Sequence, residues 1–521
     1  MNKGKVYLVG AGPGDPKLIT VRGLQCIREC TAIVYDRLAS PRLLKEAPKS
    51  AKRVYVGKLP DRHTMKQEDI NQLLVDLALE GHIVTRLKGG DPTIFGRVGE
   101  EAELLNAHHI QYEIVPGITS AISVPAYAGI PVTHRDHASS LSIITGHEKT
   151  EKLEKSIYWE KVTQATGTLL FLMGVAKIQY IAEQLIKYGR DPHTPVALVR
   201  WGTTPEQKTL VGELHNIAEK VAHHKFESPA IIIVGDVVKQ RETLLWYEKL
   251  PLFGLRVLLT RAQEQNASFV SKIEELGGEP CEFPVISLEK VKDTNKIAAI
   301  ADVCSRIEHY EWIILTSTNG VNHFFEWLAH YQVDMRRLAN AKFVAVGPKT
   351  SEALKARGIY VDVIAERFDA EGVLEALQLE NLSQKQVLIP HSSIARTIIT
   401  EQLTTQGAIV TDLPIYENVL ATDQEPFIID WLCEHHIHMS TFTSASTVTN
   451  FIEVLKNNGI EQPIELMKTY PIASIGPITS DKLRSYGLDV TIEADEATID
   501  GLVQKIVAYH LANRSEPLTL Y

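Results

Sequence analysis

The second half of this 521-residue chain repeats itself, and this repeat constrains the fold more than any other feature. The stretch VLLTRAQEQ at 257–265 aligns with VLIPHSSIA at 387–395, an offset of 130 residues. TSTNGVNHF at 316–324 aligns with TSASTVTNF at 443–451 at an offset of 127, and FVAVGPKTSEAL aligns with IASIGPITSDKL at 129. Near-constant offsets indicate a duplicated unit, which predicts two similar lobes with a cleft between them.

Short apolar runs alternate with helix-length amphipathic segments along the whole chain. This alternation is typical of an α/β protein with mainly parallel sheets. The segment LLWYEKLPLFGLR at 244–256 interrupts it with a proline and a glycine, which indicates a module boundary. We predict a first module at 1–244, a linker at 245–254, a duplicated module at 255–512 with one lobe at 255–287 plus 418–512 and the other at 288–417, and a tail at 513–521.

The two halves of the chain differ in charge. Residues 1–253 contain 32 Lys and Arg against 28 Asp and Glu, a net of +4, whereas the remainder contains 22 against 36, a net of −14. A shift of this size favours two modules joined end to end. Neither half shows the basic stripe that is typical of a nucleic-acid binder, so we expect no nucleic-acid partner.

Composition also limits the compartment and the cofactors. Five scattered cysteines are too few for a disulfide framework or a zinc site. The most apolar stretch, 229–238, is too short to span a bilayer, and the strand predicted directly after Met1 leaves no room for a signal peptide. The histidines of CEHHIHM at 433–439 lack the i,i+4 spacing of a helical metal site. We expect a cytoplasmic protein with no metal and no membrane partner.

The opening strand runs into the glycine-rich loop GAGPGDPKLIT at 10–20, which imitates a dinucleotide-binding fingerprint. That fingerprint needs Gly-x-Gly-x-x-Gly, but the third position here is Asp15, and Pro13 and Pro16 have no N–H to donate to a phosphate. An aspartate at this position would repel a pyrophosphate. The loop therefore argues against a nicotinamide dehydrogenase.

Ten stretches in the first 240 residues resemble, in order, the motifs of one known family. They are VGAGPGDPKLITVRG (9–23), IVYDRL (33–38), VGK with HTMKQEDIN (56–71), RLKGGDPTIFGR (86–97), VPGITSA (115–121), AYAGIPVTHRD (126–136), TGH (145–147), LMG (172–174), GTTPEQ (202–207) and SPAIIIVGDVV (228–238). The module resembles the tetrapyrrole methylases, specifically uroporphyrinogen-III C-methyltransferase. Thr93 and Val98 depart from the Phe and Gly that this family usually has there, and both bear on substrate fit.

The resemblance implies S-adenosylmethionine as methyl donor and a homodimer formed through this module. By resemblance, the donor site comprises Pro13, Gly89, Gly90, Asp91, Ile94, Thr119, Ser120, Met173 and Gly202. Asp36 would act as the base and Lys58 as the acid in the proton step that follows methyl transfer. Because the substrate carries eight carboxylates, candidate contacts are Arg22, His63, Arg86, Arg97, His134 and Arg135, although exposed basic residues are often only surface charges.

The duplicated half resembles uroporphyrinogen-III synthase, with looser motifs that include TSTNGV, VAVGPKT, DAEGV, TSAS and the PIY ending at Tyr416. That family closes linear hydroxymethylbilane with its last pyrrole inverted, so its main task is to hold one folded geometry. We expect substrate carboxylates to bind polar residues at helix N-termini, namely Thr316, Ser317, Asn319, Thr350, Thr443, Ser444 and Thr479. Simple helix capping is an equal interpretation of these residues. Tyr416 is our candidate for assisting loss of the hydroxyl, with a purely structural tyrosine as the alternative.

Together the two resemblances imply a bifunctional enzyme that makes uroporphyrinogen III and methylates it twice to precorrin-2, on the way to siroheme or cobalamin. Its partners would be small tetrapyrroles. One alternative is a methylase acting on another precorrin, RNA or protein. A second alternative makes the two-lobed half a non-catalytic ligand sensor, which turnover of hydroxymethylbilane would distinguish.

Overall fold

A computed structural model of the chain describes residues 3–57, 65–146, 157–262, 266–393, 398–422, 424–514 and 519–520. Within these residues the strands form four sheets, two in each half of the chain. The predicted α/β class is therefore confirmed. Each sheet is covered by helices, and the core is divided into clusters of buried apolar side chains that lie between helices and sheets.

The first sheet is parallel and belongs to what we call the first subdomain. Its strands are β1 (Lys5–Gly10), β2 (Ala32–Tyr35), β3 (Lys52–Tyr55), β4 (Ile83–Lys88) and β5 (Gln111–Val115). They lie in the order β3-β2-β4-β1-β5. The helices are α1 (Val21–Glu29), α2 (Gln67–Leu79) and α3 (Val98–Ala107). The inner strands are buried almost throughout, as expected for a parallel sheet covered on both faces.

The second sheet, in the second subdomain, is mixed and not mainly parallel as we predicted. Its strands are β6 (Leu141–Thr145), β7 (Thr168–Leu172), β8 (Pro195–Arg200), β9 (Lys208–Glu213) and β10 (Ala230–Val234), joined at the edge beside β9 by Thr519–Leu520. Strand β10 is antiparallel to β7 and β8, and β8 is antiparallel to β9. The connection between β8 and β9 is too short for a parallel crossover, so the two strands form a hairpin. The helices are α4 (Ser120–Tyr127), α5 (Trp159–Ala165), α6 (Ile178–Lys187), α7 (Ile217–His223) and α8 (Arg241–Leu244).

The segment predicted as a linker is packed between the modules. Tyr247 and Phe253 are buried, with ring centroids 5.1 Å apart. The buried Glu248 carboxylate accepts a hydrogen bond from Arg241 at 2.6 Å, and its backbone oxygen accepts one from Arg514 at 2.7 Å. A buried ion pair and buried aromatic rings fix the chain at this point, so the two modules have a defined relative position.

The second module contains two lobes with the same strand order, as the repeat predicted. The first lobe has β12-β11-β19-β20-β21 and the second has β13-β18-β17-β14-β15-β16, so the second lobe adds one edge strand. The strands are β11 (Arg256–Leu259), β12 (Glu279–Glu282), β13 (Ile286–Lys290), β14 (Trp312–Leu315), β15 (Lys342–Ala345), β16 (Val363–Ile364), β17 (Gln386–Ser392), β18 (Ile409–Leu420), β19 (Met439–Phe442), β20 (Ile472–Ser474) and β21 (Ile492–Glu493).

Helices follow most of these strands in both lobes. They are α9 (Ala267–Glu275), α10 (Thr294–Ser305), α11 (Thr318–His330), α12 (Pro348–Lys355), α13 (Ala370–Ala376), α14 (Ile398–Thr405), α15 (Pro426–Cys433), α16 (Ala445–Asn457), α17 (Pro463–Lys468), α18 (Pro477–Ser485) and α19 (Ile499–Asn513). The antiparallel pair β13 and β18 carries the chain between the lobes, with Lys290 opposite Tyr416. Ile286 and Leu420, at the other end of this pair, pack against the core of the first lobe.

Candidate functional site

A cleft of about 1690 Å³ lies where the strands of the first module end. Much of its lining comes from the segments that follow the carboxyl ends of β1, β2, β4, β5, β7 and β8, which is where α/β sheets commonly bind ligands. All nine residues predicted for the methyl donor lie in this lining; they are Pro13, Gly89, Gly90, Asp91, Ile94, Thr119, Ser120, Met173 and Gly202.

The glycine-rich loop after β1 approaches other backbone segments directly. Gly12 N–H donates to Gly90 O at 3.2 Å, and Gly90 N–H donates to Gly12 O at 2.6 Å. A Cβ atom on Gly117 would lie 2.4 Å from Gly90 O, so no larger residue fits there without a shift of the backbone. The N–H groups of Gly12 and Gly90 are engaged within the protein, which does not suit a phosphate-binding loop. The loop serves close backbone packing beside the cleft.

The Asp91 carboxylate joins two backbone segments beside the cleft by hydrogen bonds. Its Oδ2 accepts a hydrogen bond from Gly117 N–H at 2.9 Å, and its Oδ1 accepts one from Thr93 N–H at 2.7 Å. The Thr93 hydroxyl also donates to Oδ1. Thr93, one of the two departures from the family pattern, therefore stabilises the turn. Val98, the other departure, is buried at the start of α3.

Residues with left-handed backbone conformations line the cleft. Phe95, Arg97, Met173 and Trp201 have φ values of 55°, 58°, 56° and 47°. Non-glycine residues seldom adopt positive φ, and such strain clusters at ligand-binding sites. Phe95 and Met173 are 42% and 45% exposed, so they present apolar surface to the cleft.

A network of four charged side chains runs from the cleft into the core. Arg86 donates to Asp36 Oδ2 at 3.0 Å and lies 3.5 Å from Glu101, which binds Lys88 at 2.6 Å. Glu101 is fully buried, and burial lowers the pKa of Lys88. The two acids balance the two bases, as a buried network requires. Arg86 therefore fixes the orientation of the Asp36 carboxylate at the edge of the cleft.

The other substrate contacts predicted in the first module do not all lie in the cleft. Arg97 lines the cleft and forms a bidentate pair with Glu100. Arg22 does not face the cleft, because it binds Glu113 with two hydrogen bonds of 2.8 Å.

His134 and Arg135 also lie outside the lining of the cleft. The His134 and His137 rings are in tilted contact, with centroids 4.7 Å apart, and Arg135 is exposed. Lys58 and His63 fall outside the described residues.

Sequence reasoning missed several residues that line the cleft. In the first module these are Arg37, Arg53, Tyr55, Arg200 and Lys208. Arg37 directly follows Asp36 and could have been identified from that position. The second module also reaches the cleft, through Phe427 and Trp431 of α15, and no signal in the sequence predicts this contact.

In the second lobe, the structure brings Ser317 and Tyr416 together. The Tyr416 hydroxyl lies 3.2 Å from Ser317 Oγ, and the His323 ring stacks on Tyr416 with centroids 4.8 Å apart. Burial raises the pKa of Tyr416, so the phenol is protonated at neutral pH. His391, which sequence reasoning missed, lies nearby in the sheet, with Nε2 3.0 Å from Asp412 Oδ1.

The other polar residues predicted in the second module occupy helix N-termini in both lobes. Ser317 caps α11 by accepting from Gly320 N–H at 2.9 Å, and Ser444 caps α16 by accepting from Thr447 N–H at 3.2 Å. Both serines therefore cap their helices, and substrate binding at these N-termini stays a prediction. Thr350 and Thr479 are buried in the first turns of α12 and α18, and the half-buried members of the set are Thr316, Asn319 and Thr443.

Other features of the described residues lie apart from these sites. His193, Glu213 and His215 bring potential ligand atoms within 4.8 Å of one another on the surface. Cys26 and Cys30 are both buried. In the part of the chain that the structure describes, no helix combines the length and apolarity needed to cross a membrane.

Comparison with family models matches both modules. The model "Tetrapyrrole (Corrin/Porphyrin) Methylases" matches residues 5–218, and the model "Uroporphyrinogen-III synthase HemD" matches residues 267–504. The chain is 38% identical over 507 residues to "Porphyrin biosynthesis protein HemD" of Ruminiclostridium josui, covering 97% of this chain and 98% of that protein.

Two further relatives match smaller shares of the chain. The chain is 44% identical over 364 residues to "Uroporphyrinogen-III C-methyltransferase" of Bacillus subtilis (strain 168), covering 70% of this chain and 74% of that protein. It is 51% identical over 243 residues to the "S-adenosyl-L-methionine-dependent uroporphyrinogen III methyltransferase" of Methanosarcina barkeri (strain Fusaro / DSM 804), covering 47% and 95%.

Proposed function

We propose that this chain is a bifunctional enzyme, because it belongs to the family of proteins in which a tetrapyrrole methylase is fused to a uroporphyrinogen-III synthase. The second module would cyclise hydroxymethylbilane to uroporphyrinogen III. The first module would methylate that product twice to precorrin-2, the branch point toward siroheme or cobalamin. The matching family models and the relatives named above support these two activities.

One observation carries the methyltransferase half of the proposal. Nine residues from five separate segments, predicted as the donor site, line the same cleft as Asp36. The fit to S-adenosylmethionine is chemical as well as positional: the N–H groups of Gly12 and Gly90 are engaged within the protein, whereas Phe95 and Met173 offer apolar surface. When bound, S-adenosylmethionine supplies an electrophilic methyl group on a sulfonium sulfur.

The residues of the first module then have separate tasks. The backbone around Gly90 and Gly117, held by Asp91, sets the shape of the donor side of the cleft. Alignment of the two reactants accounts for most of the acceleration in such a transfer. Asp36, oriented by Arg86, accepts the proton that the methylated pyrrole carbon must lose. Arg37 and Lys208 in the lining are available to bind carboxylates of the acceptor.

For the synthase half, we infer that Tyr416 acts at the strand pair that joins the lobes. Its protonated phenol, beside the Ser317 hydroxyl, would donate a hydrogen bond to the hydroxyl that leaves hydroxymethylbilane. Helix N-termini at Ser317 and Ser444 would hold substrate carboxylates on the two sides of the lobe cleft.

We further infer a homodimer formed through the first module. The edge strand β5 exposes Tyr112 and Ile114, and Ile118 and Ile122 are exposed directly after it. An unpaired edge strand with apolar neighbours is a surface that another chain commonly covers. The proposal places the enzyme in the cytoplasm, which its five free cysteines support.

The methyltransferase proposal is tested with the full chain, supplied uroporphyrinogen III and S-adenosylmethionine labelled in its methyl group. We expect Asp36→Asn to lower kcat by about 100-fold or more, the usual contribution of a positioned base. The control is Asp76→Asn, since Asp76 is exposed on α2. Equal rates for Asp36→Asn and the wild type would refute the assigned role.

A further inference from the structure

The two modules meet through ion pairs in which the first module mostly provides the cation. These pairs are Lys17 with Glu274 at 2.6 Å, Arg42 with Glu274, Lys45 with Glu282 at 3.9 Å and Arg53 with Glu425 at 2.8 Å. The difference in net charge between the halves of the chain, +4 against −14, is thus complementary at their interface.

One ion pair has the opposite polarity and uses Arg256 of the first lobe. The Arg256 side chain is 3% exposed, and its guanidinium lies 2.9 Å from Glu206 of the first module. It also binds Glu279 at 2.7 Å and lies over the Trp431 ring, 3.9 Å from the centroid. A guanidinium with two carboxylates and an aromatic face is held in one orientation.

The two kinds of ion pair reach different subdomains of the first module. Arg53 and the other cations belong to the first subdomain, whereas Glu206 lies between β8 and β9 of the second. The donor cleft lies between these subdomains, and Glu425, Arg256 and Trp431 take part in its lining. The first lobe therefore bridges both sides of the cleft.

We propose that the first lobe is a clamp that sets the separation of the two methylase subdomains, with Glu425 and Glu206 as positioning residues for donor binding. The proposal deepens the methyltransferase function and rests on it for the identity of the ligand. The synthase module then contributes to methylation by holding the cleft in its binding geometry, independently of the product that it supplies. The packed segment around Glu248 supports this, because it fixes the lobe at the point of attachment.

The test measures the dissociation constant of S-adenosylmethionine by calorimetric titration of the full chain. Each substitution removes an ion pair that joins one subdomain to the lobe, so Glu206→Gln and Glu425→Gln should each weaken donor binding by about two- to fivefold. The double variant should weaken it by about tenfold, and 0.5 M salt should weaken binding by the wild type in the same direction. Turnover of hydroxymethylbilane, measured on the same samples, should stay at the wild-type rate.

Two further variants separate a clamp from direct ligand contact. Glu311→Gln removes an ion pair of 2.6 Å with Lys385 in the second lobe and should leave donor binding unchanged. Arg53→Glu alone should weaken binding, and Arg53→Glu combined with Glu425→Arg should restore it to within about twofold of the wild type, because the pair is rebuilt with reversed polarity.

The clamp would be overturned if the double glutamine variant bound S-adenosylmethionine with a dissociation constant within twofold of the wild-type value. A charge-reversed pair that binds no better than Arg53→Glu alone would also overturn it, since that result assigns the effect to contact with the ligand. A wild-type chain that binds the donor but does not methylate uroporphyrinogen III would instead refute the proposed function, and the dissociation constants would still decide the clamp.

Discussion

His438 makes the stability of the second module depend on pH. Its Nδ1 accepts a hydrogen bond from the backbone N–H of Arg256 at 2.8 Å. This bond forms only when Nδ1 carries no proton, so it requires the neutral ring. Burial, together with the charge of Arg256, lowers the pKa of His438 to about 4 from its ordinary value of 6.5. Glu206, which acts in the opposite direction, and His436 and His510 also face this ring.

Because the folded state holds His438 neutral, the unfolded chain binds more protons between pH 6.5 and pH 4. The contribution of His438 to the free energy of unfolding is therefore fully present above pH 6.5 and is lost as the pH falls toward 4. A pKa difference of about 2.5, at 1.36 kcal/mol per unit, gives a loss of about 3 kcal/mol at pH 4.

The variant His438→Asn removes the titration but keeps an acceptor, because the Asn oxygen can take the place of Nδ1. Between pH 7 and pH 4 the free energy of unfolding, measured in urea, should fall in both proteins. The fall should be about 3 kcal/mol smaller in this variant than in the wild type. His436→Asn is the control, since His436 is exposed. An identical pH dependence for His438→Asn and the wild type would refute the reasoning.

Three further outcomes are expected. Gly117→Ala should abolish donor binding, measured by calorimetry, because its Cβ would lie 2.4 Å from a backbone oxygen; binding at the wild-type level would contradict the packing. Glu101→Gln should lower the free energy of unfolding in urea by about 3 kcal/mol, because it leaves buried cations without their partner, whereas the exposed Glu100→Gln should change it little. Ile114→Lys should convert the proposed dimer to a monomer in light scattering, and an unchanged mass would remove β5 from the proposed interface.

The repeat in the sequence predicted two similar lobes, because duplicated segments form the same local elements, and the strand order that the lobes share agrees with this. The apolar run of β10 did not predict its direction, since a buried strand reads alike in parallel and antiparallel sheets. The packing of the predicted linker had no local signal either: Pro251 and Gly254 mark a turn, and only the fold shows that Tyr247 and Phe253 are buried.

Motif order placed the nine donor-site residues together, because each follows the end of a strand in the first module. Single basic residues were harder to assign. Arg22 could not be separated from Arg86 in the sequence, since the partner of Arg22, Glu113, lies 91 residues away. Arg256 contacts Glu206 and Trp431, which lie far from it in the sequence. No local sequence pattern therefore predicts the contact between the modules.

We propose that the two modules act in sequence, the second on hydroxymethylbilane and the first on its product. The most direct measurement incubates the full chain with hydroxymethylbilane under anaerobic conditions, with and without S-adenosylmethionine. We predict uroporphyrinogen isomer III without the donor, and the visible spectrum of a methylated dipyrrocorphin with it. Isomer I alone would contradict the synthase assignment, and isomer III that stays unmethylated in the presence of the donor would contradict the methyltransferase assignment.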